Sequence, residues 1–243
     1  MFHWRYHLGK FIRSAGYRLL REDRMPRCTA NLFRLGAELA LAAQPVSEPL
    51  VIVQVGAFDG RFADGLEPLL SRPGNYKALL VEPQQAPFEA MRKHYTGRAD
   101  LLFANVAVAT QDGEVVLYTS PDGATPFASI LPGHRGQVAG IAGAVREVRV
   151  PGVTARKLLA MHGLAAPSLL MVDTEGFDLE VTRQFLATGL PLPLVIQLES
   201  YHLSRNDREA LRILLHEKSY TFVDVEQDTV CFHTRLISAQ GEH

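Results

Sequence analysis

The sequence lacks the features that mark several large classes of protein. Its 243 residues include two cysteines, Cys28 and Cys231, which form neither a disulfide framework nor a zinc-ligand motif. No apolar run is long enough to span a membrane. The N-terminus has no apolar core and cleavage site of a signal peptide. A net charge of −1 argues against binding nucleic acid through bulk charge. We therefore expect a cytoplasmic protein that binds no nucleic acid.

Positive charge is concentrated in residues 1–27, which also contain the only tryptophan, Trp4. Two interpretations remain open. The segment could be a helix that packs on the domain while its arginines reach water. It could instead be a basic surface helix that contacts a membrane or a protein partner, so that the protein is membrane-associated. We predict that residues 1–49 form a basic helical extension, with Thr29 or Asn31 as the N-cap of its second helix, and that residues 50–243 form the main domain.

From residue 50 onward, short β-branched apolar runs alternate with amphipathic helical patterns. This alternation predicts an α/β fold with a mostly parallel, Rossmann-like sheet that helices cover on both faces, closed by a C-terminal hairpin. The Asp112-Gly113 pair predicts a further hairpin between residues 113–120 and the strand before them. Residues 121–144, rich in Gly, Pro and Ala, are either a binding loop or lid, or a surface insertion.

Polar residues follow the apolar runs, where each strand is expected to end. In an open parallel sheet, ligands bind beyond these carboxyl ends. The residues found there are Gly56, Asp59, Gly60, Glu82, Asn105, Asp173, Glu175, Glu199 and His202.

The loop after the first strand, Gly56-Ala57-Phe58-Asp59-Gly60, indicates which ligand to expect. An acidic residue at the end of the second strand, here Glu82, can accept hydrogen bonds from ribose hydroxyls. A dinucleotide would need a third glycine to let the backbone approach its pyrophosphate, and Phe58 stands where that glycine is wanted. The spacing therefore disfavours a nicotinamide-dependent oxidoreductase and favours S-adenosylmethionine, which carries no phosphate.

Several segments in order resemble the FkbM-type S-adenosylmethionine-dependent methyltransferases. They are VIVQVGAFDG, ALLVEP, FANVAVA, DGEVVLYTSP, SIL, LLMVDTEGFDLEVTRQF and VIQLESYHL. The resemblance implies a class I methyltransferase fold of seven strands with the last one antiparallel. It also implies methyl transfer to oxygen, commonly on a sugar or polyketide hydroxyl.

By position, the resemblance implies that seven residues bind S-adenosylmethionine: Gln54, Gly56, Ala57, Asp59, Gly60, Glu82 and Asn105. Gln54 departs from the acidic residue that many methyltransferases have there, so it can hydrogen-bond the methionine end without adding charge.

Three residues are catalytic candidates. Glu175 and His202 could take the proton of a hydroxyl acceptor, and Asp173 could bind the donor or shape the site. If the strand stays extended, Asp173 and Glu175 point to the same side. Helix N-caps are expected at Thr154 and Asp178, and Asn206 with Glu209 has the spacing of a capping box. The role of Glu199 stays open between the site and an ion pair with an arginine.

A metal site is the remaining alternative for this cluster. Asp173, Glu175 and Glu199 could hold Mg²⁺ beside a diol, but no ligand spacing demands it, and we predict no metal. The predicted activity is O-methylation of a small acceptor of the sugar, glycolipid or polyketide type. The competing hypothesis is a non-catalytic module of the same fold that docks through residues 1–27. The sequence does not indicate an oligomeric state.

Overall fold

A computed structural model describes residues 28–43, 48–62, 65–187, 189 and 191–238. The predictions for residues 1–27, and for the side chains of Thr29 and Asn31 as caps, lie outside what it describes. The described helices are α1 (Cys28–Ala43), α2 (Glu67–Leu70), α3 (Gln85–His94), α4 (Arg135–Ala142), α5 (Ala155–Met161), α6 (Asp178–Phe185), α7 (Arg205–Glu217) and α8 (Thr234–Ser238). None of them is long and apolar enough to cross a membrane.

Within the described residues, ten strands form two sheets. They are β1 (Leu50–Val55), β2 (Tyr76–Val81), β3 (Leu101–Ala104), β4 (Ala107–Val108), β5 (Gly113–Thr119), β6 (Arg146–Val153), β7 (Leu169–Val172), β8 (Val195–Glu199), β9 (Tyr220–Val225) and β10 (Asp228–His233). The main sheet has seven strands in the order β3-β2-β1-β7-β8-β10-β9. β10 pairs antiparallel with both β8 and β9, and the other neighbouring strands of this sheet pair parallel. This arrangement confirms the predicted α/β fold of class I methyltransferase type, including its C-terminal hairpin.

Every strand of the main sheet except the edge strand β9 contributes apolar side chains to two cores, because successive residues point to opposite faces. In β1, Val53 and Val55 pack with α5, α6 and α7, whereas Leu50 and Ile52 pack with α1, α2 and α3. Helix α1 lies close against the sheet at Gly36, where a Cβ atom would come within 2.8 Å of the Phe232 ring. The described part of the predicted extension therefore helps to cover the sheet.

A second sheet of three strands, in the order β4-β6-β5, lies next to the carboxyl end of the main sheet. The hairpin predicted between β5 and the preceding strand is wrong, since β5 pairs antiparallel with β6 over Gly113–Thr119. β4 pairs parallel with β6. Leu117, Val150 and Ala107 form a small core of their own, which is why the strands separate from the main sheet.

The helix starts divide into one confirmed cap and two corrections. Thr154 caps α5 as predicted, because its side chain accepts a hydrogen bond from the Lys157 N–H. The capping box expected at Asn206 and Glu209 is wrong, since Ser204 caps α7 and accepts from the Asp207 N–H. Asp178 is not the N-cap of α6 either. Phe177 occupies that position, and Asp178 begins the helix.

Candidate active site

A cavity of about 1300 Å³ opens at the carboxyl ends of the central strands. Its walls come from the loops after β1, β2, β7 and β8, from the three-stranded sheet, and from α4 with the segment before it. Two of the loops that form it, those after β1 and β7, meet at the centre of the parallel sheet. This is the position at which an open α/β sheet binds its ligand.

The loop after β1 depends on Gly56. Its φ is +86°, and a Cβ atom there would lie 1.7 Å from the carbonyl oxygen of Asp173, so no side chain fits. The N–H groups of Gly56 and Ala57 both donate to the carbonyl oxygen of Val81 at 3.0 Å. Asp59 stabilises the loop by accepting from the N–H groups of Arg61 at 3.0 Å and Phe62 at 2.7 Å.

Glu82 lies at the end of β2 and is 3% exposed. One oxygen accepts from the Phe58 N–H at 2.9 Å. The other oxygen accepts from the Gln84 N–H at 2.9 Å and the Gln84 side-chain amide at 3.1 Å. Burial raises the pKa of Glu82 to about 7, and these hydrogen bonds limit the rise.

Gln84 connects Glu82 to the opposite wall of the cavity. Its amide nitrogen also donates to the Thr125 carbonyl at 2.9 Å. Its amide oxygen accepts from the Thr119 hydroxyl at 2.7 Å and the Thr125 N–H at 3.0 Å. The orientation of Glu82 is thus set by contacts to the end of β5 and the segment that follows.

The loop after β7 is a tight turn that the Asp178 carboxylate stabilises by hydrogen bonds. Asp178 is fully buried and accepts from the N–H groups of Thr174 at 3.0 Å and Gly176 at 2.9 Å. Glu175 has a φ of +52° and Gly176 a φ of +100°. The expectation that an extended strand points Asp173 and Glu175 to one side is therefore wrong, because β7 ends at Val172 and the chain turns sharply. The Ser129 hydroxyl donates to the Glu175 carbonyl at 2.9 Å.

Glu175 and His202 form the closest pair of titratable groups in the cavity. Oε2 of Glu175 lies 3.1 Å from Nε2 of His202, and Oε1 of Glu199 lies 3.7 Å from the same nitrogen. The side-chain amide nitrogen of Gln137 is 3.2 Å from Nε2 as well. Burial lowers the pKa of His202, and the charge of His134 lowers it further. The imidazole is therefore neutral at pH 7 and can accept a proton.

The carboxyl groups around this pair have raised pKa values. Burial and the charge of Asp178 raise the pKa of Glu175 to about 7. Burial, Asp173 and Glu175 raise the pKa of Glu199 to about 10. Surrounding protein raises the pKa of Asp173 well above its usual value, with Asp178 and Glu175 adding to the rise. Since Asp173 is exposed to solvent, water weakens the effect of burial and leaves repulsion between carboxylates dominant.

Glu175, Glu199 and His202 also satisfy a simple geometric condition for holding a cation. Each offers one ligand atom, and the three atoms lie within 4.8 Å of one another. Asp173, which the metal alternative included, is not part of this group. Two carboxylates and one imidazole can bind a metal ion or a protonated organic group.

The predicted residues occupy two kinds of position. Gly56, Glu82 and all three catalytic candidates, Asp173, Glu175 and His202, line the cavity. The other predicted donor-binding residues are not part of the described lining: Gln54, Ala57, Asp59, Gly60 and Asn105. Gln54 is 3% exposed inside β1. Asn105 donates to the carbonyl oxygens of Glu82 at 2.9 Å and Pro83 at 3.2 Å, which fixes the end of β2.

Several lining residues were missed by the sequence reasoning, among them Gln84, Gln137, Gln197 and Asp228. Asp228 could have been found, because an antiparallel strand begins where its parallel neighbours end. Asp228 opens β10 directly opposite Glu199. Gln197 also had a signal, since it lies two residues before Glu199 on the same face of β8. Gln137 comes from α4, and nothing in its local sequence indicates the contact with His202.

Comparison with solved structures finds several methyltransferases. A ribosomal protein L11 methylase from Lactobacillus delbrueckii subsp. bulgaricus is 12% identical over 88% of this chain and 86% of its own, with a TM-score of 0.43. A methyltransferase from Geobacter sulfurreducens is 13% identical over 93% and 86%, with a TM-score of 0.44. The rRNA methyltransferase aviRa from Streptomyces viridochromogenes is 15% identical over 91% of each chain, with a TM-score of 0.40.

No curated protein matches the chain. The family model described as the methyltransferase FkbM domain matches residues 54–223, a range that runs from β1 into β9. This range contains every described lining residue of the cavity except Glu226, Gln227 and Asp228. The chain therefore belongs to the FkbM methyltransferase domain family and is a methyltransferase.

Proposed function

We propose that the protein transfers a methyl group from S-adenosylmethionine to a hydroxyl oxygen of a small acceptor, of the sugar, glycolipid or polyketide-like class. One observation carries the proposal: a single cavity connects Gly56 and Glu82 with the Glu175–His202 pair. The first two residues suit a nucleoside-containing donor. The second two suit removal of a proton from an acceptor.

The donor half of the cavity is formed by Gly56, Phe58, Glu82 and Pro83. Glu82 presents a carboxylate whose oxygens can each accept more than one hydrogen bond, which suits the two hydroxyls of a ribose. The described lining contains no lysine or arginine to hold a pyrophosphate, in keeping with a donor that has none. Bound there, S-adenosylmethionine would supply a methyl group on a positively charged sulfur, open to in-line displacement.

The remaining donor-site residues act through the backbone in this proposal. Asp59 and Gly60 hold the loop after β1, with the Gly60 N–H donating to the Ala57 carbonyl at 2.9 Å. Asn105 fixes the carbonyl groups at the end of β2. Gln54 lies in β1 just before the loop, and Ala57 belongs to the loop itself.

The acceptor half supports transfer to oxygen. A hydroxyl is a weak nucleophile while it keeps its proton, so a base near neutral pKa assists the reaction. The Glu175–His202 pair meets this need, since His202 is neutral and the pKa of Glu175 is raised to about 7. Asp173 borders both halves, because its backbone contacts Gly56.

Two measurements test this function. First, calorimetry should detect binding of S-adenosylhomocysteine, and mass spectrometry of hydroxylated acceptors incubated with S-adenosylmethionine should detect one added methyl group on oxygen. Second, Glu175→Gln should lower kcat about 100-fold, the usual size of a general-base contribution, with donor affinity nearly unchanged.

A matched control is Glu180→Gln, which makes the same change on α6, where Glu180 lies 3.9 Å from Arg183. It should leave both readouts unchanged. Absence of donor binding would refute the donor assignment. A methyl group found on carbon or nitrogen would refute transfer to oxygen, and full activity in Glu175→Gln would remove the proposed base.

A further inference from the structure

The ionisable residues that line the cavity are mostly acidic. Six acidic residues line the cavity: Glu82, Asp173, Glu175, Glu199, Glu226 and Asp228. No lysine or arginine is found among the described lining residues. With Glu82 assigned to the donor, no positive side chain of the described lining offsets the burial that raises the pKa values of Glu175 and Glu199. A cationic acceptor would stabilise the ionised form of these carboxyl groups and be attracted by it, whereas an anionic acceptor would be repelled.

Glu175 and Glu199 also have oxygens prepared for a ligand. Oε2 of each is buried without a hydrogen bond, and for Glu175 this holds although His202 lies 3.1 Å away. Glu175 as a whole is 6% exposed. Buried polar atoms are normally paired, so these two oxygens, on residues that line the cavity, leave acceptor capacity that a hydrogen-bond donor could use.

Gln197 gives a second, independent indication. It is 6% exposed, lines the cavity, and its side-chain amide donates to Asp228 at 3.1 Å. Its Oε1 atom has no hydrogen bond. An amide oxygen is a neutral acceptor, so together with Glu199 on the same face of β8 it offers two acceptors to an N–H-rich group.

Away from Glu175, Glu199 and Gln197, the cavity has an apolar wall. Its wall is formed by side chains of the three-stranded sheet and the segment after it: Val108, Leu117, Pro126, Phe127, Ala128 and Ile130. At its rim, Phe62, Ile141 and Tyr201 are 58%, 53% and 59% exposed. Large apolar side chains that stay exposed around an opening mark a surface for an apolar ligand.

We propose that the acceptor is an apolar amino alcohol, whose protonated amine binds Glu199 and Gln197 beside the hydroxyl that is methylated, and whose apolar body lies along the three-stranded sheet. This inference rests on the proposed function: it keeps S-adenosylmethionine as donor and a hydroxyl oxygen as acceptor atom, and it replaces the acceptor class named there with a cationic one. A protonated amine donates several hydrogen bonds to carboxylate and amide oxygens. It also offsets the burial and the carboxylate repulsion that together raise the pKa of Glu199.

A metal ion is a weaker occupant of the same place. A metal bound by Glu175, Glu199 and His202 would occupy the imidazole nitrogen that the proposed base needs. An amine held by Glu199 and Gln197 leaves the Glu175–His202 pair available for the hydroxyl proton. The size and apolar wall of the cavity also favour an organic ligand.

Four probes test the proposal by calorimetry. They are phenylalaninol, the diol in which a hydroxyl replaces its amine (3-phenyl-1,2-propanediol), the anion phenyllactate, and ethanolamine. Each is titrated with and without S-adenosylhomocysteine. We expect phenylalaninol to bind at least about 10-fold more tightly than the diol, equivalent to about 1.4 kcal/mol. Phenyllactate should bind most weakly, and ethanolamine more weakly than phenylalaninol because it lacks the apolar body.

Glu199→Gln should reduce the preference for phenylalaninol over the diol to less than about 3-fold, whereas the control Glu180→Gln should keep it. The proposal is wrong if the diol or phenyllactate binds as tightly as phenylalaninol, or if phenylalaninol does not bind. Binding of Mn²⁺ alone that Glu199→Gln abolishes, with no preference for phenylalaninol, would assign the site to a metal.

The proposed function is judged separately, by binding of S-adenosylhomocysteine alone. If that product binds and the probe ranking fails, only the acceptor class is wrong. If it does not bind, the donor assignment fails, and the probe ranking without it still decides whether the cavity selects an amine.

Discussion

Gly56 is the residue at which the loops after β1 and β7 come closest. The clash that a Cβ atom would make with the Asp173 carbonyl is with backbone, which cannot move aside without separating the two loops. The same position has a positive φ, which is unfavourable for a residue with a side chain. Both effects act on the loop that faces the donor half of the cavity.

We predict that Gly56→Ala lowers the free energy of unfolding by about 3 kcal/mol, seen as a fall in Tm of roughly 6–12 °C. Gly97→Ala is the control, since Gly97 has the same φ of +86° but nothing within 4 Å of its Cβ position. That variant should lose only about 1 kcal/mol. Equal losses in the two variants would show that the contact with Asp173 adds nothing to stability.

Glu82 allows a test of the donor site with little change in shape. Glu82→Gln keeps the size of the side chain but replaces one accepting oxygen with a donor, which faces N–H groups that already donate. We predict that affinity for S-adenosylhomocysteine falls about 10-fold or more, as measured by calorimetry. Glu89→Gln on α3 is the exposed control. Unchanged affinity in Glu82→Gln would contradict the ribose assignment.

At the scale of elements, the sequence predicted the seven strands of the main sheet and not the second sheet. Strands of a parallel sheet are buried on both faces and appear as continuous apolar runs, as LVIVQV does. β5 and β6 alternate exposed and buried residues, and this pattern shows that a strand forms without showing its partner. The turn at Asp112-Gly113 suggested a hairpin between β5 and the strand before it, whereas β5 pairs with β6, which follows residues 121–144.

Residues 121–144 form part of the active-site wall, and Ser129 attaches this segment to the loop after β7. Ser129 is 1% exposed, and its hydroxyl donates to the carbonyl of Glu175, the residue in the left-handed conformation. Loss of this bond leaves a buried carbonyl unpaired and frees the turn to relax. Loss of this hydrogen bond should therefore change the position of Glu175 without changing the affinity for the donor.

We therefore predict that Ser129→Ala lowers kcat about 10-fold while affinity for S-adenosylhomocysteine changes less than about 2-fold. Ser129→Thr, which keeps the hydroxyl, should recover part of the loss. Ser71→Ala, which removes an exposed hydroxyl bonded to Glu67, is the control. If donor affinity falls as much as kcat, Ser129 supports the whole cavity and not Glu175 in particular.

For the molecule as a whole, the sequence located the site because the topology brings all carboxyl ends of parallel strands to one edge. That rule placed Glu82, Asp173, Glu175 and His202 together without any knowledge of their contacts. It could not reveal Gln84 or Gln137, whose roles depend on long-range contacts with residues 125 and 202. It could not give the turn at Glu175 either, since a positive φ there results from hydrogen bonds to the buried Asp178.

The accumulation of carboxyl groups at this edge makes stability depend on pH. The pKa values of Glu82 and Glu175 rise to about 7, that of Asp178 to about 6, and that of Glu199 to about 10, mainly through burial. Between about pH 4.5 and 7, these four carboxyl groups therefore bind more protons in the folded protein than in the unfolded chain, and their effect opposes that of the histidines whose pKa values burial lowers. Their contribution to stability consequently falls as pH rises through this window, and Glu199 extends the fall to higher pH.

We predict that, without added donor, Tm decreases from pH 5 to pH 8, and that Glu199→Gln raises Tm at pH 8. The amide cannot ionise in the unfolded chain, so the variant should gain about 2 kcal/mol, or roughly 4–8 °C, at pH 8. At pH 4.5 the gain should shrink to about 0.4 kcal/mol, because Glu199 is then protonated in the folded protein and about half protonated in the unfolded chain. Glu180→Gln should show no such pH-dependent gain. Thermal unfolding followed by circular dichroism checks this, and an equal gain at both pH values would mean that Glu199→Gln acts through packing and not through its proton.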